Sequence, residues 1–189
     1  MLDLINSIDY KIFNFINKHV EENLIIDNMM IFLAEYAQFL FPIVLIVFWL
    51  LNKGKGRIFV FQTTLAFGIA FTLTKFIKML FYRDRPFVSH LDINQLVDHS
   101  INSSFPSNHA TSALVIAVSI YLFYKRLGIA CLIIALGIAF SRIWVGVHYP
   151  VDVIVGIIFG SCISLLVHHY FRRFEHHLNN FAIFHEKIK

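Results

Sequence analysis

Charge is what this sequence has least of. Asp, Glu, Lys and Arg together supply 15% of its 189 residues, against 58% for the hydrophobic types, and 21 residues are Phe. So little charge cannot solvate the surface of an ordinary soluble domain, and the formal balance of +4 is too mild to suggest a nucleic-acid partner. Cysteine is nearly absent as well. Cys131 and Cys162 both lie inside apolar runs, which excludes a disulfide framework or a cysteine-rich zinc site and leaves two small buried hydrophobes. Asp3 interrupts the N-terminus, so no cleavable leader is expected. There is no internal repeat and no low-complexity linker, and residues 1–189 read as a single membrane-embedded domain.

What remains is long apolar runs. A spanning helix needs about 20 mostly apolar residues, and runs of that kind cover 29–51, 58–80, 110–124, 127–147 and 151–170. Ahead of them, Leu4, Ile5, Ile8, Ile12, Phe15 and Ile16 recur at helical spacing, with Asp3, Asp9, Lys11 and Lys18 between them. Residues 1–27 therefore predict an amphipathic helix lying in the interface. The expectation is an all-α polytopic membrane helix bundle with about five transmembrane helices, or six if the N-terminal helix also crosses. Lys53, Lys55 and Arg57, the pair Lys125–Arg126, and Arg172–Arg173 at the start of a basic tail over 171–189 fall on one side of a five-span chain. The positive-inside rule makes that side cytoplasmic.

The opposite face collects polar residues that do not belong in hydrocarbon. Lys78, Arg83, Arg85 and Pro86 end the second run; Ser107, Asn108 and His109 open the third; Ser141 and Arg142 end the fourth; His148 and Asp152 begin the fifth. A charge at mid-bilayer costs roughly 2.5–3.5 kcal/mol. One snorkelling arginine would be unremarked, but Lys78, Arg85 and Arg142 at one level repel each other unless an anion sits among them. Phosphate fits, since the Arg fork matches its oxygens and Lys adds a point charge. Pro150 suits the first turn of a helix, which puts Asp152 within that turn and His148 just before it. A carboxylate there can accept from one imidazole nitrogen and leave the other as a free lone pair, as a histidine nucleophile requires. Pro106-Ser107-Asn108-His109 precedes a helix whose free N–H groups favour anions, with His109 placed to give a proton to a leaving oxygen. Taken singly, each segment has a plainer reading: an interface histidine, a capping acid, an N-cap serine. Taken together on one face they point to phosphoryl transfer through a covalent histidine.

These residues carry a resemblance. Lys78 to Arg85-Pro86, Pro106-Ser107-Asn108-His109, and Ser141-Arg142 to His148 to Asp152 resemble the three signature motifs of the type 2 phosphatidic acid phosphatase superfamily. The second motif departs from the pattern, with Asn108 where Gly is usual; Asn tolerates unusual backbone angles better than most residues. The resemblance implies that Lys78, Arg85, Ser107, Asn108 and Arg142 hold phosphate, that His148 is the nucleophile oriented by Asp152, that His109 is the general acid, and that no metal or other cofactor is needed. The chain looks most like the bacitracin-resistance-type undecaprenyl-diphosphatases. That implies a bacterial plasma-membrane enzyme of cell-wall lipid recycling, with its site facing outward and an isoprenyl diphosphate or phospholipid-phosphate substrate. A phosphatidylglycerophosphate or phosphatidate phosphatase would use the same site. A lipid-phosphate binding or transport protein would need the cations but no oriented histidine. Other phosphatase chemistries are missing their motifs: there is no D-x-D-x-T, no C-x5-R and no carboxylate cage for two metals.

Several residues are left over. Lys75 reads as snorkelling. Glu35, an acid within the first run, is expected to pair with Lys75 or Arg83, or to serve the site. The pairs His168–His169 and His176–His177 fit a basic cytoplasmic tail near anionic lipid better than a metal site. His90 and His99 have no assigned partner in the outer loop, which is expected to shape the lipid entrance.

Overall fold

The computed structural model describes residues 2–53 and 55–186, with side chains for residues 4, 6–53 and 56–174. Helices α1 (Leu2–Asn17), α2 (Leu24–Glu35), α3 (Leu40–Leu51), α4 (Lys55–Leu80), α5 (Pro86–Ser89), α6 (Asn108–Phe123), α7 (Lys125–Trp144) and α8 (Pro150–Glu186) follow one another, and no strand occurs among the described residues. Three stretches are long and apolar enough to cross a membrane: Gly56–Leu80, Lys125–Trp144 and Pro150–Phe174.

The centre of the bundle is α6, which packs on α4, α7 and α8. It buries Ala110, Thr111, Ala113, Leu114, Val115, Ile116, Ala117, Ser119 and Ile120. At 16 residues it is about 24 Å long by helical rise, short of a hydrocarbon core of about 30 Å. Its neighbours surround it, so little of it needs to meet lipid. Helices α6 and α8 approach closely at Gly160, where an added Cβ would run into the Thr111 carbonyl oxygen. One turn earlier, at Gly156, the same Cβ would stand 2.9 Å from the Ser107 carbonyl. That contact sets the start of α6 beside the start of α8.

The expected continuous span over 29–51 is corrected: α2 and α3 are 12-residue helices bent by 42° about a 3₁₀ turn at Ala37–Phe39. Two causes are visible. Pro42 sits in the first turn of α3, where its missing N–H costs nothing, and it could not donate to Gln38 in a straight helix. Arg142 Nη1 also donates to the Ala34 carbonyl at 2.9 Å, drawing off a helix-terminal acceptor. The fifth run is longer than expected, since α8 continues past residue 170 to Glu186; the side chains of His176 and His177 lie outside the described residues.

Helix α1 forms where the periodicity placed it, but the face it turns to the bundle is not its greasiest. Asp9, Phe13 and Asn17, four residues apart, are buried, while Leu4, Ile8, Ile12 and Phe15 face outward. Asn17 Nδ2 donates to the carbonyls of Asn94 and Trp144, and its Oδ1 accepts from the Asn94 N–H, which pins the loop between α5 and α6 to the end of α7.

Candidate active site

The ends of α4 and α7, the starts of α6 and α8, and the loop residues 81–107 meet in one buried polar centre. His148 lies in the turn between α7 and α8. The Arg142 carbonyl accepts from the N–H groups of Val147 and His148 at 3.2 and 3.1 Å, closing that turn. Gly146 takes φ +82° there, and a Cβ on it would stand 2.7 Å from the Asn94 carbonyl, so the turn needs glycine twice over. Pro150 is the first residue of α8 and Asp152 the third, as the sequence predicts. Asp152 Oδ2 accepts from the Tyr149 N–H at 3.0 Å, capping the helix start.

The expected direct hydrogen bond from His148 to Asp152 is replaced by a bridge. His148 Nδ1 lies 3.7 Å from Asp152 Oδ2, too far for a hydrogen bond. Between them stands the Ser104 hydroxyl, 3.2 Å from Nδ1 and donating to Asp152 Oδ2. His148 Nε2 faces Arg85 Nη1 at 3.2 Å. Burial holds the His148 pKa down to about 3, against the pull of Asp152, so the ring is neutral and keeps a lone pair at neutral pH.

Arg85 is 2% exposed. It donates to the Val147 carbonyl at 2.7 Å and to Asn102 Oδ1 at 2.8 and 3.2 Å. Burial first, and then repulsion from Arg142, lower its pKa to about 10, which still leaves it cationic. Arg142 is fully buried; Nη1 reaches Glu35 at 3.3 Å, while Nε and Nη2 have no partner among the described residues. Lys78 Nζ donates to the Ser103 carbonyl at 2.6 Å.

Ser107 is buried and caps α6, accepting from the Ala110 N–H. Its own N–H donates to the Asp152 carbonyl at 3.0 Å. Asn108 Oδ1 is buried without a partner among the described residues, and a half-turn of the amide would present its N–H₂ instead. Asn108 and His109 form one end of an apolar cavity of about 700 Å³ that runs beside α6, with Phe39, Trp49, Phe67 and Phe71 in its walls. Among the described residues no three His, Cys, Asp or Glu side chains are grouped as a metal site would need.

Sequence reasoning placed Arg83 on this face without a role, and missed Asp9 and Ser104. Arg83 is a hub: Nη1 donates to Asp152 Oδ1 and Nη2 to Asp9 Oδ2, both at 2.7 Å, and its guanidinium lies 4.1 Å from the centre of the Tyr149 ring. Asp9 was counted among the polar residues of an interfacial helix. It is instead buried, and its Oδ1 accepts from the Val151 N–H at 2.9 Å, satisfying a free donor at the start of α8. Ser104 carried no spacing signal, although it stands three residues before Ser107. Glu35 pairs with Arg142, not with Lys75 or Arg83; Lys75 is exposed and lies over the Phe71 ring.

The family model of the PAP2 superfamily matches residues 59–175, a stretch holding every residue of the three motifs. The chain belongs to the PAP2 superfamily. Among curated PAP2 relatives, it is 37% identical to the bacitracin transport permease protein BcrC of Bacillus licheniformis, over 82% of this chain and 76% of that one. It is 32% identical to the undecaprenyl-diphosphatase BcrC of Bacillus subtilis, over 84% and 81%. Among solved structures it is similar to Aquifex aeolicus LpxE, with a TM-score of 0.75 and 26% identity over 85% of this chain and 94% of that one. It is also similar to the PAP2 type phosphatidylglycerolphosphate phosphatase of Bacillus subtilis, with a TM-score of 0.69 and 25% identity over 90% and 87%. Like these PAP2 proteins, the chain is a multi-pass membrane protein.

The Arg83 hub makes a stability prediction. Arg83→Met would leave the Asp9 and Asp152 carboxylates buried without their shared cation. Breaking a buried pair in this way costs about 3–5 kcal/mol, and two carboxylates depend on this one arginine. Thermal unfolding in detergent should show a clear drop in midpoint for Arg83→Met. An unchanged midpoint would mean that the hub is not a structural tie.

Proposed function

We propose that this membrane phosphatase hydrolyses undecaprenyl diphosphate to undecaprenyl phosphate and phosphate through a phosphohistidine at His148, recycling the carrier lipid of cell-wall synthesis and so giving bacitracin resistance. The observation that carries the proposal is Arg142. A fully buried guanidinium with two donors that have no partner among the described residues, beside a second buried cation and a neutral histidine, asks for a multiply charged oxyanion at that point. The names of the BcrC relatives support the isoprenyl diphosphate.

In this reading Arg142, Arg85 and Lys78 bind the terminal phosphate, helped by Ser107 and the N-terminus of α6, where Asn108 turns its amide toward the oxygens. The Nε2 lone pair of His148 attacks phosphorus, and the bond from phosphorus to the bridging oxygen breaks. Burial first, and then Arg142, lower the His109 pKa to about 2, so His109 takes up its proton only with the bound anion; it gives that proton to the bridging oxygen, and the lipid phosphate departs. Water, losing a proton to His109, then attacks the phosphohistidine, and the P–N bond breaks to release phosphate. Charge stabilisation by the fixed cations supplies most of the acceleration. His109 lines the apolar cavity, and this reading lays the lipid tail in that cavity with its bond to phosphate at His109. The rest of a long tail stays in the bilayer.

Lys53 and Arg57 stand by the start of α4, Lys125 and Arg126 at the start of α7, and Arg172 and Arg173 near the end of the apolar stretch of α8, each away from the motif residues along its helix; by the positive-inside rule this reading opens the site on the outer face, with lipid entering the cavity sideways.

Two measurements test this. Phosphate release by purified protein should be fastest on undecaprenyl diphosphate, slower on phosphatidylglycerophosphate and phosphatidate, and abolished by His148→Ala. A preference for phosphatidylglycerophosphate would move the assignment to the chemistry named for the Bacillus subtilis structural relative, while activity in folded His148→Ala would remove the mechanism. For orientation, with Cys131 and Cys162 replaced, a cysteine at the fully exposed Leu91 should react with a membrane-impermeant thiol reagent in intact cells or spheroplasts. A cysteine at Lys53 should react only after the membrane is opened. The opposite pattern would invert the topology.

A further inference from the structure

We propose that Ser104 is the residue that fixes the tautomer of His148, and that Asp152 acts on the imidazole through it. The inference rests on His148 being the nucleophile, as above, and goes beyond that reading by assigning a positioning residue outside the three sequence motifs.

The argument is one of donors and acceptors. A serine hydroxyl has a single proton. Ser104 Oγ lies within hydrogen-bond distance of two groups, Asp152 Oδ2 and His148 Nδ1. The carboxylate can only accept, so it takes the hydroxyl proton. The same oxygen can then face Nδ1 only as an acceptor, so Nδ1 must carry the imidazole hydrogen. That places the lone pair on Nε2. Nε2 is met by Arg85 Nη1, a group that can only donate, at 3.2 Å. Two separate contacts, one at each ring nitrogen, therefore demand the same tautomer, and it is the one that leaves Nε2 free to attack.

Asp152 cannot do this alone in the observed geometry. Its Oδ2 is 3.7 Å from Nδ1, and its oxygens are already committed to Arg83, to the Tyr149 N–H and to Ser104. Ser104, by contrast, is built for the place. It is fully buried, its N–H donates to the Arg83 carbonyl at 2.7 Å, and Lys78 Nζ holds the carbonyls of Ser103 and Ser104 at 2.6 and 3.4 Å. Ser107, the serine of the second motif, is occupied elsewhere as the cap of α6. When Nε2 bonds to phosphorus the ring becomes cationic, and the Nδ1–H to Ser104 to Asp152 chain carries the carboxylate's stabilisation to it.

The test compares Ser104→Thr, which keeps a hydroxyl, with Ser104→Val, of nearly the same shape without one, and with Ser104→Ala, each also combined with Asp152→Asn in the full-length protein. The readouts are single-turnover formation of the phosphoenzyme on undecaprenyl diphosphate and the linkage of the phosphohistidine by ³¹P NMR. The wild type and Ser104→Thr should form the Nε2-linked isomer alone. Ser104→Val and Ser104→Ala should lose about tenfold or more in kcat with KM little changed, and should begin to form the Nδ1-linked isomer. Asp152→Asn added to either should cost little further, since the two residues act in series. Wild-type kcat and pure Nε2 linkage in Ser104→Val or Ser104→Ala would overturn the proposal, as would losses that multiply with Asp152→Asn. A wild-type enzyme that turns over with no phosphohistidine would instead remove the nucleophile reading itself, and this proposal with it.

Discussion

A carboxylate with no exposed surface keeps its charge only where donors replace the water it has lost. Asp152 meets that condition with Arg83, Ser104 and the Tyr149 N–H, and each of these belongs to a different part of the chain. Satisfying one side chain therefore brings the segment after α4, the 103–107 segment and the turn between α7 and α8 to the same point. Through Arg83 it also draws in Asp9, and with it α1. The N-terminal helix is thus coupled to the centre through the half-buried Arg83 and the buried Asp9 carboxylate, although most of its large apolar side chains face away from the protein.

Around this anion the cations are arranged asymmetrically. Arg83 is neutralised by two carboxylates and ties elements together. Arg142 has one carboxylate partner, the partly exposed Glu35, and among the described residues its Nε and Nη2 have no partner. Arg85 touches no carboxylate among the described residues and contacts the imidazole directly. The surplus of positive charge accordingly lies on the Nε2 side of His148 and the surplus of negative charge on the Nδ1 side. A ring set across that field is polarised toward attack from Nε2. The apolar cavity takes Asn108 and His109, at the start of α6, into its lining.

Much of this was legible in the sequence because hydrophobic period and the spacing of rare polar residues are local signals. The runs at 58–80 and 127–147 became α4 and α7 with small shifts of their ends, and Pro150 fixed the start of α8 to the residue. Lys78, Arg85, Ser107, Arg142, His148 and Asp152 could be picked out because polar groups are costly in such surroundings. What escaped were features decided by partners far along the chain. At the bend between α2 and α3 the Ala34 carbonyl is taken by Arg142, 108 residues away. Asp9 looked like a surface acid of an amphipathic helix because Arg83, 74 residues away, is invisible to periodicity. Ser104 is an ordinary serine in a polar loop, and only the fold puts it between a histidine and an aspartate 44 and 48 residues away.

The central claim is that phosphate passes through His148 in two displacements, with the cations held fixed throughout. Each in-line displacement inverts configuration at phosphorus, so two of them restore it. The most direct test is the stereochemical course of hydrolysis, with an isoprenyl diphosphate made chiral at the terminal phosphorus by sulfur and oxygen isotopes and the product analysed by ³¹P NMR. The account predicts overall retention. Inversion would mean that water attacks the substrate directly, and would contradict it.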